Sequence, residues 1–472
     1  MKYMKIKLLV GIFAILLIAG CRNKETKKKE KLTANFDSLA LTPPMGWSSW
    51  DCLGMQSNEK DTRAVADYME EHLKEYGWKI VNIDGGWYHP IEFQTVNSNM
   101  KNPPQNMDQY GRLIPDTGKF PSAKGGAGFK TLADYVHSKG LKLGIHVMRG
   151  IPWNAVVKNT PIKGTNYFAG DVVDLKDTCA WSQIMKGINM EKPGSQEYYN
   201  SIFELYAEWG VDYVKVDDIA PPLHSPEVVG VHNAIVNSKA PIILSISPGA
   251  IAPDQWSFLA KHAHLFRISR DFWDSWKMLK GQFNICNKWD SIHTPGHWPD
   301  ADMLPIGKLR KNGGDEFIAA QIGSTVEEST DEYSRFTDTE KYTLMTLWCI
   351  FKSPLMVGGY LPENDSVTYK ILTNEEVIAV NQKSENNHEI RNEKGIIIWT
   401  ADQPETNAKY VALFNTNDGK PIKISISWKK IGMQGELNVR DLWAKKDLGK
   451  FKGEFSANVE AHGCKLIKVG KW

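Results

Sequence analysis

The sequence predicts an α/β fold, a (β/α)8 TIM barrel followed by a small C-terminal antiparallel β-sandwich. Two observations predict it. Over most of the chain, apolar stripes at helical spacing end at a glycine and are followed by a short apolar run, which is typical of βα units around a parallel sheet. From about residue 386, short strands are separated by Asn, Asp, Gly and Pro turns, which indicates an antiparallel sandwich.

Residues 1–20 have the pattern of a lipoprotein signal peptide. A basic start precedes an apolar run at residues 8–19 that is too short for a stable membrane span. The segment Leu17-Ile-Ala-Gly-Cys21 is similar to a bacterial lipobox, in which Cys21 is lipidated after cleavage. The alternative is a simple cleaved signal with an incidental cysteine. Residues 21–39 are then a charged tether, and the predicted location is the bacterial cell envelope, lipid-anchored and facing the periplasm or the cell surface.

The body of the chain is mildly acidic. The sequence carries 57 basic and 55 acidic side chains, of which nine basic and two acidic ones lie in residues 1–32. The remainder has 48 basic against 53 acidic groups, a net charge of −5. This charge argues against nucleic acid as a partner. The sequence does not predict an oligomeric state.

The cysteines other than Cys21 do not have the pattern of a metal site. They are odd in number, scattered, and lack CxxC spacing, so neither a zinc site nor a disulfide scaffold is indicated. They are Cys52, Cys179, Cys286, Cys349 and Cys464. One disulfide is possible, but the sequence does not place it.

Residues 40–383 form the predicted catalytic barrel. The number of apolar runs suits an eight-stranded barrel better than an open sheet. They lie at residues 45–50, 78–84, 141–146, 211–217, 241–247, 265–268 and 355–358. Catalytic side chains of such barrels lie where the parallel strands end. The polar or aromatic residues at these ends are Trp50, Asp84, His146, Asp217 and Asp271.

Residues 384–472 form the predicted C-terminal antiparallel β-domain. Its predicted strands are residues 396–399, 410–414, 422–428, 437–439 and 464–469. Such a domain could bind carbohydrate by itself. A packing role is expected instead, because the sequence shows no evident exposed aromatic platform.

Asp217 and Asp271 are the candidate catalytic residues. Each follows a buried apolar run, where a carboxylate is held rigidly and its pKa can be shifted. Two carboxylates facing one cavity can cleave a glycosidic bond, one as nucleophile and one as proton donor. An aspartate at a strand end can also simply cap the next helix. However, Lys215 and Arg267 precede the two aspartates by two and four residues, and such cations keep a nucleophile ionised and bind hydroxyl groups.

Six motifs in order resemble one family. They are Pro44-Met-Gly-Trp-Ser-Ser-Trp50, Ile83-Asp84, Leu141-Lys-Leu-Gly-Ile145, Val214-Lys-Val-Asp217, Arg267 with Asp271 and Asp274-Ser-Trp276, and Trp298-Pro-Asp-Ala-Asp302-Met303. Across residues 40–470 the chain resembles glycoside hydrolase family 27, the melibiase-like α-galactosidases. The resemblance implies a (β/α)8 barrel with an antiparallel β-domain. It also implies a retaining mechanism on terminal α-galactosides or related sugars, without a metal or other cofactor.

The resemblance also implies roles for individual residues. Asp217 matches the nucleophile and Asp271 the acid/base, with their carboxyl groups expected about 5–5.5 Å apart. Five further residues match sugar-binding positions: Trp50, Asp84, Lys215, Arg267 and Asp302.

Three departures from the family pattern concern the sugar. Galactose-specific members usually carry a second acid where this chain has Gly85, and a residue such as Glu where it has Ile246-Ser247-Pro248. Many also have Cys at the position of Ile219. The first two differences remove polar contacts to hydroxyl groups, so the alternative substrates are a β-L-arabinopyranoside, an α-N-acetylgalactosaminide or an α-glucan. Small residues at Gly85 and Gly86 are expected to leave room near positions 4 and 6 of the sugar.

Two other classes of protein are weighed against a glycosidase. A metal-dependent barrel enzyme could use Asp84, Asp217 and Asp218 as ligands, but Lys215 would compete with the cation. A non-catalytic sugar-binding lipoprotein would have lost one of the two carboxylates, and both are present.

Four more predictions concern residues near the site. Asp218 is expected to cap a helix, and Arg270 to point away or to pair with Asp218 or Asp274. His146 could contact substrate or be structural. Four tryptophans in predicted loops or strand ends are candidates for stacking on a sugar: Trp50, Trp87, Trp273 and Trp298.

Overall fold

The computed structural model describes residues 36–91, 104–179, 182–292, 294–311 and 333–472. The predicted signal peptide, Cys21 and most of the predicted tether lie outside these residues. Residues Phe36–Ser38 form a 3-10 turn in which Phe36 is buried. Among the described residues, no helix is long and apolar enough to cross a membrane.

Eight parallel strands form the barrel and appear in chain order around it. They are β1 (Met45–Ser48), β2 (Ile80–Ile83), β3 (Lys142–Met148), β7 (Tyr213–Asp217), β8 (Ile243–Ile246), β9 (Leu265–Arg267), β10 (Trp298–Asp300) and β11 (Leu355–Val357). Leu304, just after β10, closes the ring, because its N–H donates to Met356 and its carbonyl accepts from Gly358. The predicted (β/α)8 fold is confirmed.

The sequence missed one barrel strand, β10. It has three residues, one of them Pro299, which cannot donate a backbone hydrogen bond. The other strands were recognisable because both faces of a parallel sheet are covered, so β2 and β8 are buried at every position.

Twelve α-helices are described, and most of them surround the barrel. They are α1 (Trp50–Leu53), α2 (Glu59–His72), α3 (Lys130–Ser138), α4 (Trp153–Lys158), α5 (Ala169–Val172), α6 (Ser195–Trp209), α7 (Ser225–Ser238), α8 (Trp256–His262), α9 (Trp276–Asn287), α10 (Asp338–Phe351), α11 (Ser366–Leu372) and α12 (Glu375–Lys383). The glycine stop after α6 is confirmed, since Gly210 has φ +78° and its N–H bonds back to the last turn.

An excursion between β3 and α6 was not predicted. It holds a three-stranded antiparallel sheet of β4 (Ile151–Pro152), β5 (Val173–Thr178) and β6 (Met185–Ile188). The strand β5 is mostly polar and has no clean alternation, so the sequence gives little sign of it. This excursion brings Asp177 close to the end of β3.

The C-terminal domain is an antiparallel sandwich, as predicted. One sheet has the order β12-β13-β14-β19-β16-β17, and β15 pairs with β18. Its strands are β12 (Glu385–Glu393), β13 (Ile396–Asp402), β14 (Lys409–Asn415), β15 (Ile422–Ser427), β16 (Glu436–Asp441), β17 (Lys446–Lys452), β18 (Glu454–Val459) and β19 (Cys464–Gly470). The sequence missed β12, β17 and β18; the first two are polar and lie at the two edges of the larger sheet.

The sandwich packs on the barrel through specific contacts. The ring of His462 stacks on Trp276 at 3.8 Å, and Trp443 Nε1 donates to Thr346. One aromatic side chain of this domain, Trp472, is 52% exposed. All five described cysteines are free thiols.

Candidate active site

The carboxyl ends of the barrel strands bring together the residues that the sequence singled out. Lys215 Nζ lies 2.9 Å from Asp84 Oδ2, although 131 residues separate them in the chain. Arg267 Nη2 lies 2.7 Å from Asp302 Oδ2. The two ion pairs belong to one electrostatic cluster, because the charge of Asp302 acts on Lys215. The full set is Trp50, Asp84, Lys215, Asp217, Arg267, Asp271 and Asp302.

Asp217 ends β7 and is held on both oxygens. His146 Nε2 lies 3.2 Å from Oδ2, and the Ser247 hydroxyl donates to Oδ1 at 3.2 Å. Burial alone would raise the pKa of Asp217, but the hydrogen bond and charge of His146, with the charge of Lys215, outweigh burial and lower it. Asp217 is therefore an ionised, oriented carboxylate, as a nucleophile requires.

Asp84 is the polar residue at the end of β2. Its Oδ2 accepts from Ser48 and Lys215, and its Oδ1 accepts from the N–H of Gly85. Burial would raise the pKa of Asp84, but Lys215 and His146 hold it well below its usual value. A fixed carboxylate beside an ammonium group can bind two neighbouring hydroxyl groups of a sugar.

Asp271 lies on the other side of the cluster and is its most exposed carboxylate, at 39%. Arg267 Nη2 lies 3.3 Å from Asp271 Oδ1. Asp302 Oδ2 forms an ion pair with that guanidinium and accepts from the N–H of Phe272, and burial raises the pKa of Asp302 against the opposing charge of Arg267. Nε of Arg267 is buried and has no hydrogen-bond partner among the described residues, as expected of a donor that receives a ligand.

Gly85 and Gly86 do not open an empty space beside Asp84. A methyl group at Gly85 would lie 3.3 Å from the Trp50 ring and 3.6 Å from Nδ1 of His146. One at Gly86 would lie 2.9 Å from the backbone of Met55. The expected room at these positions is therefore filled by neighbouring side chains and backbone.

Three of the four candidate stacking tryptophans are buried. Trp87 donates to the carbonyl of His146 and Trp298 to that of Ala40, while Trp273 is also enclosed. Their positions near strand ends reflect packing beneath the site. Trp50 alone remains partly exposed among the four.

One prediction next to the candidate catalytic pair was wrong. Asp218 does not cap a helix: it has φ +62° and lies 3.1 Å from Arg149. Arg270 is exposed, in agreement with the expectation that it points away from the site. Asp274, which was one of its two alternative partners, pairs with Arg310 at 3.2 Å.

Sequence reasoning missed Ser247 and Arg149 as parts of the site. Ser247 was interpreted only as the loss of a family contact. Arg149 follows β3 in a run without a recognisable motif, and its contacts involve residues distant in sequence.

One group of described side chains has metal-ligating geometry: Asp177, His224 and Glu227. Nη1 of Arg149 lies 2.8 Å from Asp177 and 2.7 Å from Glu227, so a guanidinium already bridges these carboxylates. Asp84, one of the three acids that a metal-dependent barrel enzyme could use as ligands, is paired with Lys215 instead.

Comparison with known proteins decides the family. A family model described as "Alpha galactosidase A" matches residues 42–161 and 173–319, and one described as "Alpha galactosidase C-terminal beta sandwich domain" matches residues 393–469. The chain belongs to the melibiase-like α-galactosidases, glycoside hydrolase family 27. It is therefore a glycosidase, and the resemblance read from six short motifs is confirmed.

Individual members of family 27 show different named activities. The chain is 30% identical over 442 residues to Alpha-galactosidase 2 of Arabidopsis thaliana, covering 92% of this chain and 90% of the relative. It is 30% identical over 454 residues to an Alpha-galactosidase of Coffea arabica, covering 94% and 97%. It is 43% identical to a solved β-L-arabinopyranosidase of family 27 from Geobacillus stearothermophilus, with a TM-score of 0.86 and coverage of 92% and 98%.

Proposed function

We propose that this protein is a retaining exo-glycosidase that removes terminal β-L-arabinopyranosyl residues, and that it hydrolyses the corresponding α-D-galactosides more slowly. The two sugars have the same ring configuration and differ by the hydroxymethyl group that only galactose carries. The observation that carries this choice is the packing around Gly85, where the Trp50 ring and His146 replace the second acid of galactose-specific relatives.

The packing around Gly85 affects the hydroxymethyl group, the part of the sugar that distinguishes galactose from arabinopyranose. By analogy with family 27, we expect Gly85 and Gly86 to lie near positions 4 and 6 of the bound ring. A hydroxymethyl group there would meet an aromatic edge and lack a carboxylate partner for its hydroxyl. A pentopyranose has no such group, so it loses nothing. The relationship to the Geobacillus stearothermophilus β-L-arabinopyranosidase supports the same choice.

The proposed reaction uses two displacements. A carboxylate oxygen of Asp217 attacks the anomeric carbon, while Asp271 gives its proton to the departing oxygen, which keeps the bonding electron pair. Asp271 then takes a proton from water, the water oxygen attacks the anomeric carbon, and Asp217 is released. Each displacement inverts the anomeric centre, so the product retains the original configuration.

The remaining residues hold the sugar in this proposal. Asp84 and Lys215 bind adjacent hydroxyl groups, and Arg267 with Asp302 binds hydroxyls on the side of Asp271. Trp50 offers a flat face to the apolar side of the ring. His146 holds Asp217 ionised through its 3.2 Å contact. No step requires a metal or other cofactor.

A panel of 4-nitrophenyl glycosides tests the sugar. The β-L-arabinopyranoside should give a kcat/KM roughly 10- to 100-fold above the α-D-galactoside, because a pocket without a specific partner discriminates only modestly against one added group. The α-N-acetylgalactosaminide and an α-glucoside complete the panel, and proton NMR of the first-formed sugar should show retention. A preference for the galactoside, or an inverted product, would contradict the proposal.

Terminal α-D-galactosides of oligo- or polysaccharides are the second candidate. The relatives from Arabidopsis thaliana and Coffea arabica, both named α-galactosidases, favour it. The strand-end residues of this chain would serve both sugars, and the panel separates them.

The proposed location is the bacterial cell envelope, with the protein anchored by lipid at Cys21. The support is the basic start, the apolar run and the Leu17-Ile-Ala-Gly-Cys21 sequence. In this arrangement the substrate is an extracellular or periplasmic glycan.

Changing Cys21→Ser should release an active, soluble enzyme. The thiol is the only group there that can accept the lipid, whereas the catalytic domain begins after it. Membrane and soluble fractions of cells expressing the full chain are assayed for glycosidase activity, with Cys52→Ser as the control variant. A Cys21→Ser protein that still sediments with membranes would contradict lipidation.

A further inference from the structure

Arg149 is a buried arginine outside the proposed catalytic set that contacts the backbone around Asp217. It follows β3, and its side chain is 2% exposed. Its backbone N–H donates to the carbonyl of Asp217 at 3.0 Å, and its Nε donates to the carbonyl of Asp218 at 2.6 Å. Its Nη2 also lies 3.1 Å from the Asp218 carboxylate. One residue therefore holds two consecutive peptide units at the nucleophile.

Asp218 needs such support, because its backbone conformation is unfavourable. Its φ of +62° lies in the left-handed region, which is sterically unfavourable for residues with a Cβ atom, although aspartate adopts it more often than most of them. Such conformations persist where the surroundings over-determine them, and they cluster at functional sites. Here the surroundings are the two hydrogen bonds and the ion pair from Arg149.

The turn at Asp218 matters for the nucleophile because it sets the position of Ile219. The N–H of Ile219 donates to the carbonyl of Ser247 at 2.9 Å. The hydroxyl of the same Ser247 donates to Oδ1 of Asp217. A change in the turn would therefore shift the serine that orients the attacking carboxylate.

Arg149 is itself fixed by acids from two other elements. Asp177 of β5 binds it through both oxygens at 2.7 and 2.8 Å, and Glu227 of α7 lies 2.7 Å away. Burial raises the pKa of Asp218 to about 7; the charge of Arg149 opposes this rise, and that of Asp217 adds to it. The positive charge of the guanidinium therefore offsets the repulsion between these acids, so that they can lie close together beside the nucleophile.

We infer that Arg149 is a positioning residue of the reaction: it holds the Asp218 turn in its left-handed conformation and thereby fixes the Asp217 carboxylate for attack. The inference rests on the proposed role of Asp217 as nucleophile. Arg149 contacts Asp217 through the backbone carbonyl of Asp217, so its effect should fall on the rate of attack and leave sugar binding nearly unchanged.

The change Arg149→Lys keeps the charge but removes the fork of donors. It should lower kcat 10- to 100-fold, the effect of a small misplacement of a reacting group, with KM within about 3-fold of the native value. The matched control is Arg112→Lys, since Arg112 is also buried and binds Asp108 and the carbonyl of Ser201 instead of the strand-end residues. Equal kcat values for the two variants would overturn the inference.

The Asp218→Gly background tests whether Arg149 affects kcat by supporting the turn at Asp218. Glycine adopts positive φ without a steric penalty, so it needs no support from Arg149. Arg149→Lys should then cost less than about 3-fold in kcat, whereas a merely structural role would cost the same in both backgrounds. A loss of 10-fold or more in the Asp218→Gly background would overturn the inference. If Arg149→Lys alone does not fold, the loss measured in the Asp218→Gly background still tests the inference, because a loss of 10-fold or more there overturns it.

The measurements use whichever aryl glycoside the native enzyme hydrolyses best. If the sugar assignment is wrong, the panel of glycosides assayed with the native enzyme shows it before any variant is made. A wrong role for Arg149 appears only when variants are compared, either Arg149→Lys with Arg112→Lys or the two backgrounds with each other.

Discussion

Replacing Asp217 with alanine should lower kcat by roughly 10⁴-fold or more on every glycoside, activated aryl glycosides included. Among the described side chains, the Asp217 carboxylate is the one held by both His146 and Ser247, and its loss removes the atom that forms the covalent bond in the proposed reaction. A better leaving group cannot compensate, because the missing partner is on the opposite face of the sugar.

The matched control is Asp212→Ala. Asp212 immediately precedes β7, the strand that Asp217 ends, and its carboxylate binds His137 and the N–H of Leu143 at the other end of the barrel. Its variant should lose stability while kcat stays within about 3-fold of the native value. Steady-state kinetics and thermal unfolding of both variants separate the two effects.

Added azide gives a second readout of the same prediction. In Asp217→Ala, azide can enter the space of the lost carboxylate and attack the anomeric carbon of an activated substrate. The glycosyl azide should have the inverted configuration, opposite to the product of the native enzyme. Full activity of Asp217→Ala, or an azide product of retained configuration, would contradict a nucleophilic Asp217.

The location of the site could be predicted because topology determines it. Once apolar runs of four to seven residues are recognised as parallel strands, the residues that follow them must meet at one edge. That is why Asp84 and Lys215 could be assigned to one site before their 2.9 Å contact was known. The same reasoning failed for β10, because Pro299 and Asp300 break its apolar pattern, whereas the equally short strands β9 and β11 each begin with two apolar residues.

The lateral packing of the site could not be predicted from sequence. Gly85 indicated open space, but whether space exists depends on where Trp50 and Met55 lie, and both come from the preceding strand end. Ser247 indicated a lost sugar contact, yet its hydroxyl binds Asp217. The contacts of Arg149 depend on an excursion sheet whose polar strand β5 has no recognisable pattern.

Removing the other carboxylate should give a different kinetic result, which depends on the leaving group. Asp271→Ala should lower kcat/KM for an alkyl glycoside or a natural disaccharide by about 10²- to 10⁴-fold, the usual contribution of a general acid. For a 2,4-dinitrophenyl glycoside, kcat/KM should change less than about 10-fold, because that phenolate leaves without a proton. The site should otherwise persist, since Arg267 keeps its 2.7 Å pair with Asp302 and the Asp271 side chain is 39% exposed.

The second step of the proposed reaction, hydrolysis of the glycosyl enzyme, gives a further test of Asp271. With a dinitrophenyl glycoside, kcat should still fall, because Asp271 is also the base that activates water, and the glycosyl enzyme should accumulate on Asp217. Azide needs no base, so it should restore kcat for this substrate and give a glycosyl azide of retained configuration. Mass spectrometry of the rapidly quenched variant measures the trapped intermediate. If Asp271→Ala reduced kcat/KM equally for the alkyl and the dinitrophenyl glycosides, Asp271 would be structural, because a proton donor must matter most where the leaving group is poorest.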